Sequence, residues 1–278
     1  MLSFLMKLQV LVAAMHQKDA SLIKEMGIAT DAIIGNQTDQ NSIEYLTVND
    51  KTIQYLNFKE RGVGLNRNNA LMRADADIVL FADADERLEY GYEKIILDAY
   101  KNLPKADAII FNVGTDGDNM GRRIESRIKK LRFWNVFNYG APRITVKNYI
   151  VKRENIYFSR LFGGGAIYSA GEDTLFLYDM YKAGLNIYIL PKTIGKVSQA
   201  ESSWFEGYNE KYFYDKGAIF AAINRRWGFF LCVALLIRNR KLWFGKRINL
   251  KEGIRLAYEG FRGYNQLTTF DSYSNNHA

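Results

Sequence analysis

Two aspartates two residues apart, Asp83 and Asp85, close the apolar run Ile78-Val-Leu-Phe-Ala82. With Glu86 they place three acids in four residues at the end of a buried strand, a costly arrangement without counter-charges or a cation. On extended backbone, residues two apart point the same way. The two carboxylates can therefore converge on a hard cation such as Mg²⁺ or Mn²⁺. An ion held there can bridge a diphosphate and neutralise its charge as it leaves. The plainer reading is a capping cluster for a helix at 90–102.

Three further groups bear chemistry. Arg67-Asn68-Asn69 lies on a helix before that strand; Arg67 suits a phosphate or ribose and the amides suit polar ligand groups, or all three form a polar helix face. Glu172-Asp173 opens a helix behind small residues. A carboxylate there can act as a general base on a hydroxyl or can simply cap the helix. His16 follows the first strand, as pocket lining or as a structural histidine, and His277 lies in a polar tail. Two histidines exclude a histidine-rich metal site.

The elements that must position these groups alternate. Strands are expected at 8–14, 30–34, 51–58, 78–82 and 106–113, with helices at 20–26, 65–74 and 90–102 between them. Near-continuous apolar strands alternating with helices mean a largely parallel α/β sheet covered on both faces. Ligands bind outside the carboxyl ends of such strands, where the loops at 15–19, 35–41 and 83–86 can meet. A strand is expected from Pro142 to Val151, a helix from Gly171 to Lys182, and a strand from Asn186 to Leu190 that Pro191 ends. From Trp204 on the pattern is helical, aromatic and basic.

The chain has 278 residues, 48% of them hydrophobic, with three prolines and one cysteine. That supports a sizeable core and excludes an internal disulfide, any cysteine zinc cluster and a disordered chain. Between Arg225 and Arg262, ten Lys or Arg face only Glu252 and Glu259, so this segment carries the whole net charge of +8. Such a segment suits an anionic partner surface. The expected surface is a membrane, contacted by the apolar run Trp227–Ile237 and by Trp243 and Phe244. That run of eleven residues is too short to span a bilayer, and residues 1–14 lack a cleavage site, so a cytoplasmic, membrane-peripheral protein is expected. No nucleic-acid motif is present.

In order along the chain, Gly64-Leu-Asn-Arg-Asn-Asn-Ala-Leu71, Ala76-Asp-Ile-Val-Leu-Phe-Ala-Asp-Ala-Asp85 and Gly163-Gly-Gly-Ala-Ile-Tyr-Ser-Ala-Gly-Glu-Asp173 closely resemble bacterial family 2 glycosyltransferases of the GT-A fold. The resemblance covers about residues 8–215. It implies an inverting transferase that takes a sugar from a nucleotide donor, UDP-linked, to a glycan or lipid-linked glycan in capsule, exopolysaccharide or lipopolysaccharide synthesis. Asp83 and Asp85 match the D-x-D motif, with Asp85 ahead of Asp83 as the direct ligand of Mn²⁺ or Mg²⁺. Asp173 matches the presumed base, and Arg67 and Asn69 fall in the donor-pocket segment.

The chain departs from the family at two places. The loop after the second strand reads Gly35-Asn-Gln-Thr-Asp39 rather than aspartate-rich, which nominates Asn36 or Gln37 as the base contact. Lys196 to Ser203 lacks the late histidine that serves many relatives as a third metal ligand. Arg226-Trp227 matches half of a Q-x-x-R-W signature of processive synthases, but Ile223 replaces the glutamine. The expected organisation is a catalytic domain at 1–203, with a donor half at 1–113 and an acceptor half at 114–203, then a helical basic extension at 204–278. The alternatives are a sugar nucleotidyltransferase, whose glycine-rich, lysine-containing loop is missing, a basic nucleic-acid-binding protein, or a degenerate scaffold.

Overall fold

The computed structural model describes residues 6–115, 123–197, 207–243 and 248–274. They divide into two compact units, one of residues 1–160 with 172–201, the other of 161–171 with 202–278. The sequence reading puts a boundary at 203 and does not foresee that 161–171 belong with the C-terminal helices.

In the first unit the elements are β1 (Leu8–Met15), α1 (Ser21–Met26), β2 (Asp31–Gln37), β3 (Ser42–Val48), β4 (Lys51–Phe58), α2 (Val63–Arg73), β5 (Ile78–Asp83), β6 (Glu86–Leu88), α3 (Tyr92–Asn102), β7 (Ala108–Thr115), β8 (Lys129–Lys130), β9 (Ile144–Lys147), α4 (Asn148–Arg153), α5 (Glu172–Lys182) and β10 (Ile187–Val197). Among the described residues the strands form one sheet in the order β3-β4-β2-β1-β5-β9-β7-β10-β6, with β8 on β10. The pairs β4–β2, β2–β1, β1–β5 and β7–β10 are parallel, and β9 runs antiparallel between β5 and β7. The α/β class is as expected. The proposed donor and acceptor halves, however, share this sheet, because β9 lies between strands of the first half.

Strand parity fixes what each face carries. Val10, Val12, Ile78, Leu80 and Ala82 join one core with α1 and α3. Leu11, Val79 and Phe81 join the other, with Leu71 of α2 and Phe176 of α5. There Phe158 stacks on Phe176 at 4.1 Å, and Phe81 meets Phe158 edge-on at 5.0 Å. Asp83 continues the parity of Val79 and Phe81, so its carboxylate leaves the sheet on the side of α2 and α5.

Ser42–Val48, a segment the sequence reading leaves unassigned, forms an edge strand antiparallel to β4. Three local readings are corrected. The stretch 142–151 turns from strand to helix at Asn148, whose amide side chain donates to the carbonyls of Ala74 and Ala76. Pro191 sits inside β10 at a register shift, where no ladder N–H is needed. Glu86 leaves the acid cluster, because it is buried in β6 opposite Val197.

The second unit holds α6 (Glu210–Ile223), α7 (Gly228–Arg238) and α8 (Leu250–Ser274). Helices α6 and α8 approach backbone to backbone: a Cβ on Gly217 would overlap the Ala257 carbonyl, and one on Gly260 the Tyr214 carbonyl. Asp215 on α6 is buried and accepts hydrogen bonds from the Ser169 N–H at 2.8 Å and hydroxyl at 2.6 Å, besides the Lys211 ammonium at 2.9 Å. These bonds fasten 161–171 into the unit. Trp243 is buried, edge-on to Phe213 at 5.2 Å. That corrects its assignment to a membrane boundary. Phe244, Lys246, Arg247, His277 and residues 198–203 lie outside the described residues.

Candidate active site

The site is organised by one buried arginine. Helix α2 starts against the chain at 158–159, where Gly64 leaves room for the Ser159 carbonyl. Asn68 then clamps the same segment, donating to the Phe158 carbonyl and accepting from the Phe158 N–H, both at 2.8 Å. This fixes Arg67, 5.3 Å from the Phe158 ring centroid. Its guanidinium donates to Asp83 Oδ1 at 2.7 Å from one terminal nitrogen. From the other it donates to Glu172 Oε1 at 3.0 Å and to Asp173 Oδ1 at 2.9 Å.

One guanidinium against three carboxylates leaves an excess of negative charge. Burial opposes the charged form of Arg67, yet Asp83, Asp173 and Glu172 hold its pKa above the ordinary value. Burial, and then the neighbouring Glu172, push the Asp173 carboxyl up to about 8, against the pull of Arg67. Oδ2 of Asp173 lies beside Gly140, where a Cβ would come within 3.2 Å of it. Asp83 and Asp173 open together into a cavity of about 290 Å³, lined also by Arg123, Asn138, Pro142 and Arg143.

The far wall is a second network. Glu125 is buried and accepts from Arg123 Nε at 2.6 Å, the Tyr139 hydroxyl at 2.7 Å and the Lys129 ammonium. Burial works against its charge, but these bonds bring its pKa down to about 2. Arg143, also buried, donates to the carbonyls of Arg123 at 2.6 Å and Val113 at 3.0 Å. Sequence reasoning missed this wall; the signal was a lone Glu125 inside the basic run 122–132.

The remaining candidates fall elsewhere. Asp85 is exposed in the turn after β5. Asn69 is half-buried, its amide 3.4 Å from Glu60. Asn36 and Gln37 belong to β2 and not to a loop. The Asn36 amide is spent on the Gln17 backbone and on Asn57, and Gln37 accepts from the Gly62 N–H at 2.9 Å. Both side chains bond to neighbouring segments, and neither lines the cavity beside Asp83 and Asp173. His16 is exposed, with φ 54°, and its N–H donates to the Gln37 carbonyl. With Ala84 N–H donating to Ala13, this brings the ends of β1, β2 and β5 to one edge.

Residues 24–157 match the family model described as glycosyl transferase family 2. Among solved structures, the fold is similar to Staphylococcus aureus TarS 1–349 in complex with UDP-GlcNAc, with TM-score 0.63 and 16% identity over 89% of this chain and 77% of that one. It is similar also to TarS 1–349 alone, with TM-score 0.62 and 16% identity over 93% and 83%. No curated protein matches the sequence. Residues 24–157 carry a family 2 glycosyltransferase domain on a GT-A fold, and the chain is a glycosyltransferase.

Proposed function

We propose that this enzyme transfers a sugar, with inversion, from a UDP-linked donor to a hydroxyl of a glycan or lipid-linked glycan in bacterial surface polysaccharide synthesis. The observation that carries the reading is that a single arginine, Arg67, holds Asp83 and Asp173 at one cavity. The UDP assignment is supported by TarS structures of this fold with UDP-GlcNAc and with UDP.

In this reading Asp173 takes the proton of the acceptor hydroxyl. The acceptor oxygen bonds to the anomeric carbon as the bond from that carbon to the diphosphate oxygen breaks, and the nucleoside diphosphate departs. Arg67 holds Asp173 in place through the sequence and balances part of the charge around it. Asp85 and Asp83 suit a divalent cation, Mn²⁺ or Mg²⁺, because two carboxylates at a strand exit leave room for diphosphate and water as its other ligands. Among the described residues no three His, Cys, Asp or Glu form a ready cage. The resemblance to the D-x-D motif puts Asp85 ahead of Asp83 as the direct ligand. The bound ion would supply Lewis-acid stabilisation of the leaving diphosphate.

The reading also puts the C-terminal segment against the inner face of the membrane, where lipid-linked acceptors lie. The test is hydrolysis and transfer with a panel of nucleotide sugars, with and without Mn²⁺. Turnover of a UDP-sugar supports it; turnover only of a nucleoside triphosphate with a sugar phosphate would replace it with a nucleotidyltransferase.

A further inference from the structure

Helix α7 is apolar on both sides, but only one side is covered. Gly228, Cys232 and Leu236, one turn apart, are buried within the helical unit. On the opposite side Trp227 and Phe230 are 66% and 65% exposed, with Leu231, Ala234 and Ile237 exposed beside them. Single exposed apolar residues are ordinary on a protein surface, whereas a contiguous aromatic and aliphatic stripe marks a contact. The stripe widens onto α8, where Tyr258, 47% exposed, meets Phe229 edge-on at 5.2 Å.

The border of the stripe says what it contacts. Arg225 and Arg226 precede the helix, Arg238, Arg240 and Lys241 follow it, and all are exposed. No Asp or Glu occurs between Arg225 and Lys251. A cationic rim around an apolar centre complements a sheet of anionic headgroups over acyl chains. An eleven-residue helix is about 16 Å long, about half of a bilayer core, and no described helix is long and apolar enough to cross a membrane. We infer that the exposed face of α7, led by Trp227 and Phe230, inserts into an anionic lipid surface with the helix lying in the membrane plane. This deepens the membrane part of the function proposed above by naming the face, and it uses no residue of the active site. It also replaces the segment around Trp243, whose indole is buried.

The experiment is co-sedimentation of the full chain with vesicles of phosphatidylcholine alone or mixed with phosphatidylglycerol. It compares wild type, the Phe230→Glu/Leu231→Glu variant and the Arg225→Glu/Arg226→Glu variant. Both pairs of positions are exposed, and circular dichroism with thermal unfolding checks that the variants fold. Wild type is expected to partition at least about tenfold more strongly onto the anionic vesicles. The apolar variant is expected to lose about tenfold on those vesicles, and the arginine variant to lose the anionic preference. Donor hydrolysis is expected to be unchanged in both. Lost lipid binding with intact hydrolysis supports the inference, and it stands equally if no nucleotide sugar is turned over by any form. Equal pelleting of wild type and the apolar variant, or no pelleting of wild type at low salt, overturns it. So does a lipid-free dimer of wild type that the Phe230→Glu/Leu231→Glu change dissolves, which would make the face a contact between copies of the chain.

Discussion

Arg67 donates to Asp173 at 2.9 Å across 106 positions of sequence, and its other terminal nitrogen holds Asp83 at 2.7 Å. The proposed base and the first aspartate of Asp83-Ala-Asp85 are therefore held by one group. Arg67→Lys keeps the charge but has a single ammonium for three carboxylates. We expect kcat to fall about 100-fold, in the range of a misplaced catalytic group, and stability to fall by about 3 kcal/mol, as for a broken buried pair. Steady-state kinetics beside thermal unfolding check this. A variant with normal kcat would show that Asp173 needs no arginine to hold it.

Asp173→Asn should bind donor as wild type does and lose transfer by about 10³-fold, the span of general-base catalysis. Isothermal titration with a non-transferable donor and a transfer assay separate the two. Transfer at the wild-type rate would reduce Asp173 to a helix cap.

The raised pKa of Asp173 also has a signature in pH. Its carboxyl sits at about 8 in the fold against an ordinary 3.8, so the active, ionised form grows as pH rises, and transfer should climb with its midpoint near 8 and level off about one unit above. The sign for stability is opposite. The protonated acid favours the fold, a contribution fully present below the ordinary value and lost as pH rises through about 8. Asp173→Asn, neutral at every pH, should therefore gain Tm relative to wild type between pH 5 and 9. A constant difference across that range would show an ordinary carboxyl.

Metal removal tests the other acid. Excess EDTA should abolish turnover, Mn²⁺ or Mg²⁺ should restore it, and Asp85→Asn should lower it by at least about 100-fold while the protein stays folded. Full activity in EDTA would remove the cation from the proposal.

In the helical unit Asp215→Ala strips three hydrogen-bond partners, two of them on Ser169. Because Lys211 is half exposed and can turn to water, we expect a loss of about 2 kcal/mol rather than the larger penalty of a stranded buried charge. Urea titration measures it. No change in midpoint would mean that Ser169 does not fasten 161–171.

The acids were legible because a buried strand that ends in Asp83 announces itself by contrast, and because parity then says which way the carboxylate points. Glu172-Asp173 were legible as a helix start. Arg67 showed as a cation near the site, but its position at the centre of three acids depends on contacts 16 to 106 residues away, which no local pattern encodes. The same reason hid Glu125 and Arg143. Asn36 and Gln37 were read into a loop because polar residues at a strand end look the same whether they face ligand or backbone. Trp243 misled because a basic neighbourhood suggested exposure to a side chain that the helices bury. Residues 161–171 were placed with their sequence neighbours, since nothing in Phe162 or Tyr168 states which core they join.

The seam between α6 and α8 has a consequence for anyone who maps this enzyme by substitution. At Gly217 and Gly260 even alanine has no room, although neither belongs to the acid cluster. Scored by lost activity alone, both would rank beside Asp173 and pass for chemistry. Scored by soluble yield they should part company: the glycine variants fail to accumulate, whereas Asp173→Asn accumulates as a folded protein.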